Sequence, residues 1–234
     1  MLNRRQTLQG VAAFAAVAGA TAAQAKDKCV AFTPTMQQAK TPDEALKRLK
    51  DGNARFAAGE ALHCDLLTQV RSTAQQQAPF AAVLGCIDSR VPPELVFDQH
   101  IGDMFVARIA GNIASTDIIG SLEFATALAG AKLIVVLGHS ECGAVKGAID
   151  DAKLGSLTGV LQQIRPALTQ LNYKGVPSSK DKALVQRVAE QNAKDAAAQL
   201  TGRSETMAKL VAEGKLKIVY AMHDVATGRV AWHG

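Results

Sequence analysis

The stretch Phe80-Ala81-Ala82-Val83-Leu84-Gly85-Cys86-Ile87-Asp88-Ser89-Arg90 is an apolar run that ends abruptly in a thiol, a carboxylate, a hydroxyl and a guanidinium. Short apolar runs closed by a glycine read as strands buried on both faces, the kind that parallel sheets use. Three more runs of this character follow at 104–109, 132–137 and 216–221. Helical patterns separate most of them, including 115–129 between the second and third, and two or three helices fill 142–213. Within that last stretch, 157–171 and 180–200 read as helices joined by the loop at 173–178, with no catalytic signal. The alternation predicts βαβ units with right-handed crossovers. The fold class is therefore α/β, with a mostly parallel four-stranded sheet flanked by helices. A short fifth strand at 229–232 forms its edge, after the turn at 226–228.

Composition agrees. The 234 residues are 48% hydrophobic but only 4% aromatic, and Ala, Val, Leu and Ile suit a helix-covered sheet better than a β-sandwich. The first 25 residues read separately. Asn3-Arg4-Arg5-Gln6-Thr7-Leu8 is a twin-arginine start, Gly10 to Ala23 is a weakly apolar core, and Ala23-Gln24-Ala25 is a cleavage site. This predicts export by the twin-arginine route to the periplasm, with no stable membrane anchor after cleavage. Losing Arg4 and Arg5 lowers the net charge from +5 to +3. That excess, without a basic run, argues against nucleic acid as a partner. Residues 26–40 read as an N-terminal arm. Thr41-Pro42-Asp43-Glu44 opens a helix with an N-cap, a proline at the first helical position and an acidic first turn. A further helix is expected over 66–77. From 41 to 234 the chain reads as one domain.

The chemistry concentrates at two strand ends. Cys86 ends the first strand. His139 ends the third, and Cys142 follows three residues later at the start of a helix. Sites in open α/β sheets form beyond the carboxyl ends of the strands, so these residues can face one crevice. Two thiolates and an imidazole suit a borderline-soft cation such as zinc, and three protein ligands leave a fourth position open, as catalytic zinc sites do. A helix N-terminus should also favour Cys142 as a thiolate. Against this stands the inert alternative, in which free cysteines are simply buried apolar residues.

These motifs resemble the beta-class carbonic anhydrases. The resemblance rests on Cys86-Ile87-Asp88-Ser89-Arg90 with Val91-Pro92-Pro93-Glu94, and on Gly138-His139-Ser140-Glu141-Cys142-Gly143-Ala144. Between them Gly102 to Asn112 is family-like, as is the tail His223-Asp224-Val225-Ala226-Thr227-Gly228. The resemblance implies one zinc per chain on Cys86, His139 and Cys142, with Asp88 and Arg90 as a catalytic dyad. It implies reversible hydration of carbon dioxide to bicarbonate through a zinc-bound hydroxide, in a homodimer or higher assembly of dimers. Two other functions stay open: hydrolysis of carbon disulfide or carbonyl sulfide on the same fold, and a non-catalytic zinc-binding protein, which would be expected to lack the dyad.

Three positions carry their own expectations. Some family members place a tryptophan three residues before the first cysteine, in a regulatory bicarbonate pocket. Val83 stands there, so that pocket is not expected. His100 occupies the place where plant-type members carry a glutamine that reaches the neighbouring subunit's site. It is a possible proton shuttle, or else a solvated loop residue, and Gln99 is the weaker substitute. Cys29 and Cys64 are able to pair in an oxidising compartment if their Cα atoms come close enough.

Overall fold

The computed structural model describes residues 29–233. The expected export signal over 1–25 lies outside them. The arm is not wholly irregular: Thr33 caps a short helix, α1 (Pro34–Gln38). Helix α2 (Pro42–Ala58) begins where expected. Thr41 Oγ1 accepts from the Glu44 amide at 3.2 Å and Glu44 returns a bond to the Thr41 amide at 2.8 Å, a complete capping box. It ends at Gly59, whose φ of 74° is the left-handed conformation that glycine adopts without penalty.

The sheet contains β1 (Ala81–Gly85), β2 (Met104–Arg108), β3 (Leu133–His139), β4 (Lys217–His223) and β5 (Val230–His233) in the spatial order β2-β1-β3-β4-β5. The first four run parallel and β5 is antiparallel to β4. This is the predicted architecture. The connecting helices are α3 (Leu66–Thr73), α4 (Pro93–Val96), α5 (Thr116–Glu123), α6 (Gly143–Ile149), α7 (Leu157–Gln170), α8 (Lys182–Arg203) and α9 (Glu205–Ala212). Four helices, rather than two or three, therefore separate β3 from β4. The segment expected as one helix over 115–129 is α5 continued by a π-helical turn at Phe124–Leu128.

Both faces of the sheet are covered, which is why β1 and β3 are buried along their whole length. Ala82, Leu84, Ile134 and Val136 pack against the helices from α5 to α9. Phe80, Val83, Val135 and Leu137 pack against α2, Phe97 and the arm residue Phe32. Val83 is fully buried in this second layer. Among the described residues no helix is long and apolar enough to cross a membrane.

Candidate metal centre

The carboxyl ends of the four parallel strands converge on one edge. Arg108 ends β2, Cys86 follows β1, His139 ends β3 and His223 ends β4, with His139 and His223 in direct register. Cys142 reaches the same edge from the N-cap of α6. The chain turns there through Glu141, a non-glycine residue at φ 58°, a conformation that surrounding contacts must hold in place.

The structure brings together the three residues expected as ligands. One ligand atom each from Cys86, His139 and Cys142 lies within 4.8 Å of the others, and all three side chains are buried. The two sulfurs are 4.0 Å apart. Two thiolates on a tetrahedral ion at about 2.3 Å would stand roughly 3.8 Å apart, close to what is found. His139 Nδ1 meets the Ser140 carbonyl at 2.9 Å, which makes Nδ1 the protonated nitrogen and leaves Nε2 as the lone-pair donor. Nε2 is buried and has no partner among the described residues. A buried acceptor without a donor, facing two thiols, fits a soft or borderline divalent cation better than an inert apolar pocket.

The ionisation differs in one respect from the sequence expectation. The helix N-terminus was expected to favour Cys142 as a thiolate, and the Cys86 sulfur beside it opposes this. The Cys86 thiol is pulled down, first by its hydrogen bond with Cys142 and, against burial, further by His139 and by the Gly111 amide. Cys142 is pushed up, first because it donates to Cys86 and then by burial. Two buried sulfurs this close cannot both carry charge without a cation, although amides of Ala144 and Val145 face Cys142. A divalent cation would displace the remaining thiol proton.

Gly111 contributes a feature invisible in the motif. Its N–H donates to Cys86 Sγ at 3.4 Å from a residue at φ 70°. A Cβ there would meet Ile164 Cδ1 at 2.4 Å, so glycine is required for both space and conformation.

Asp88 and Arg90 form the expected dyad. Arg90 Nε donates to Asp88 Oδ1 at 2.9 Å and Nη2 to Oδ2 at 2.8 Å, and the Arg90 amide donates to Oδ1 at 3.0 Å. This fork holds the Asp88 carboxyl well below the usual carboxylate range, against the opposing effect of partial burial. Held by Arg90 in this way, Asp88 stays outside the Cys-His-Cys group. Ser89 sits exposed in the turn.

Arg108 was noted only as a family-like residue, yet it organises the turn. Its Nε donates to the Cys86 carbonyl at 2.8 Å and its Nη2 to the Asp88 carbonyl at 2.5 Å. One guanidinium thus clamps the ligand-bearing and dyad-bearing residues together. The available signal was a basic residue closing an apolar strand.

His100 is not brought to this centre within the chain. Its side chain is 8% exposed, so the solvated-loop alternative is wrong. It lines a separate cavity of about 670 Å³ with His63, Leu66, Leu95 and Ile101. Gln99 is buried and structural, its amide spent on Arg48, on the Phe97 carbonyl and on its neighbour Asp98. Cys29 and Cys64 do pair, with Cα atoms 5.4 Å apart.

An open parallel sheet with a Cys-His-Cys centre and a carboxylate–guanidinium dyad at its carboxyl edge defines a class: α/β proteins with a catalytic-type metal site. The family profile described as Carbonic anhydrase matches residues 81–230. A carbonic anhydrase of Mycolicibacterium smegmatis is 40% identical over 195 residues, covering 81% of this chain and 92% of that protein. Among solved structures, a tetrameric beta-carbonic anhydrase of Sordaria macrospora is 28% identical with a TM-score of 0.61, covering 71% of this chain and 90% of that one. A beta-carbonic anhydrase of Aspergillus fumigatus is 26% identical with a TM-score of 0.66, covering 82% and 89%. The chain belongs to the carbonic anhydrase family, in its beta class.

Proposed function

We propose that this chain hydrates carbon dioxide reversibly to bicarbonate and a proton, with one zinc ion held by Cys86, His139 and Cys142. The observation that carries the reading is the pairing of that buried ligand set with an ionised Asp88 fixed by Arg90. Zinc, when bound, supplies Lewis acidity that lets water lose a proton near neutral pH.

The chain's own residues do the rest. The Ser140 carbonyl fixes the His139 tautomer. Arg90 keeps Asp88 charged and oriented, so the carboxylate accepts a hydrogen bond from the attacking water and turns a lone pair toward the substrate carbon. Arg108 holds Cys86 and Asp88 at a constant separation. His100 is the group assigned to carry the released proton, because an imidazole can both accept and donate one through its two ring nitrogens. It would do so at a site completed by a second subunit. Exposed Leu66, Leu95 and Ile101 around its cavity support such an assembly, a homodimer or a higher assembly of dimers.

Stopped-flow hydration of carbon dioxide, with zinc content measured on the same sample, tests the reading. A zinc-loaded protein without hydration activity would refute it. Export by the twin-arginine route is proposed with it, and the Cys29–Cys64 disulfide suits an oxidising compartment. Replacing Arg4 and Arg5 by lysine should leave unprocessed protein in the cytoplasm. Normal processing of that variant would point to another route.

A further inference from the structure

Away from the metal centre, the Cys29–Cys64 disulfide joins segments 35 positions apart in the sequence. It is the outer end of a series of contacts that runs inward to His100. Gln69 Nε2 donates to the Cys29 carbonyl at 2.7 Å. Three residues on, Phe32 is buried and packs on Phe80 with ring centroids 5.0 Å apart. The Arg48 guanidinium lies over both rings, 4.9 Å and 5.3 Å from their centroids. Its nitrogens then reach Gln99 Oε1 at 2.9 Å and Asp103 Oδ2 at 3.3 Å. Asp103 Oδ2 also accepts from the His100 backbone amide at 3.0 Å and lies 3.8 Å from His100 Nδ1.

The other half of the disulfide belongs to the same place. Cys64 lines the 670 Å³ cavity together with His100 and His63. The segment 60–65 that carries it has no regular structure, and the Leu62 amide ties it to Asp98 Oδ1 at 3.0 Å. The bond therefore ties residues 29–33 to the irregular segment that lines this wall. Its loss leaves Phe32 as the main apolar anchor of residues 29–33.

We propose that Cys29–Cys64 is a redox latch on the His100 wall of this cavity, closed when oxidised and opened by a dithiol reductant. A thiolate of the dithiol attacks one sulfur and forms a mixed disulfide, releasing the other cysteine as a thiolate that takes up a proton. The second thiol then displaces the first cysteine, so two electrons and two protons pass to Cys29 and Cys64 while the dithiol becomes a disulfide. Opening frees residues 29–31, loosens the packing of the Phe32 ring on Arg48 and with it the support of Asp103 and His100. The proposal rests on the role of His100 in proton release given above.

The test compares oxidised and phosphine-reduced zinc-loaded protein, together with Cys29→Ser. A phosphine, itself oxidised to its oxide, avoids stripping zinc as a chelating dithiol would, and zinc content is measured throughout. Reduction should speed amide exchange over 29–31 and 60–65 by roughly tenfold or more. It should also lower kcat in dilute buffer by roughly two- to tenfold, leave kcat/KM for carbon dioxide unchanged, and be relieved by added imidazole. Cys29→Ser should behave as the reduced protein and ignore the phosphine. Unchanged exchange overturns the latch, as does unchanged kcat when His100→Ala lowers it. A phosphine effect that persists in Cys29→Ser also overturns it. Absence of hydration in the oxidised protein would instead sink the proposed function, and the exchange measurement reports on the latch independently of that.

Discussion

Replacing Arg108 by methionine keeps most of the side-chain volume and removes the clamp on the turn after β1. Its cost follows from what each carbonyl has left. The Cys86 carbonyl receives its hydrogen bond from Arg108 Nε and from no other donor among the described residues, in a residue 3% exposed. The Asp88 carbonyl loses Nη2 but keeps the Val91 amide at 3.1 Å. An orphaned buried acceptor costs about 1–3 kcal/mol and a lost bond at a partly satisfied one about 0.5–1.5 kcal/mol, so the total is roughly 2–4 kcal/mol. In a chain of this size that lowers the midpoint of thermal unfolding by roughly 4–16 °C. Because Cys86 and Asp88 share the clamp, metal affinity should fall along with stability, by about 30-fold for each 2 kcal/mol of lost order in the turn. Calorimetry of the metal-free protein and competition with a chromogenic chelator measure the two effects. A midpoint within about a degree of wild type, with unchanged zinc affinity, would refute the reasoning.

Four further outcomes follow. Cys142→Ser should lose most of its zinc on dialysis, since a neutral hydroxyl replaces an anionic soft ligand; full retention by metal analysis would remove Cys142 from the ligand set. Asp88→Asn should keep its zinc but lose turnover by about 100-fold, on the scale of one lost transition-state hydrogen bond. The same dyad has a pH signature. The Asp88 carboxyl is depressed in the folded state, so its contribution is present above the unfolded value near 4 and is lost as pH falls toward the folded one. Wild-type stability should therefore decline in acid below pH ~4 more steeply than that of Asp88→Asn, and parallel profiles in urea titrations would contradict it. His100→Ala should lower kcat in dilute buffer, spare kcat/KM for carbon dioxide, and recover with imidazole, whereas an unchanged kcat would exclude it from proton transfer.

The strands and the ligand set were legible because both depend on local pattern. An apolar run that stops at a thiol, or at an imidazole followed by a thiol, shows a buried strand and its end in one reading. Helix boundaries were less legible. The helix expected over 66–77 stops at Thr73, where the Ser72 and Thr73 hydroxyls bond back to the Gln69 carbonyl and compete with the helical pattern. Helix α8 runs on to Arg203, which donates to the Ala114 carbonyl and to Thr116, partners 89 and 87 positions away. No window of sequence contains that information. Helix α9 does have a readable cap, since Ser204 Oγ accepts from the Met207 amide, but it follows α8 without a breaker. The disulfide and the burial of His100 are likewise consequences of where the arm folds back. The mutual influence of the Cys86 and Cys142 thiols depends on a 4.0 Å separation that only the folded edge creates.

The parallel register of β1 and β3 sets the relative position of Cys86 and His139 along the sheet, with Gly85 opposite Leu137. Their distance along the chain does not enter. Natural variation in chain length can therefore accumulate in the connections at 94–103 and 113–132 without moving a ligand. One residue gained inside β3 would turn His139 to the opposite face, carry Cys142 out of register with it and leave Cys86 in place. Across diverging relatives, then, the spacing between the two motifs should drift freely while the interior of each strand refuses insertions, and it is the strand interior that anchors a correct alignment.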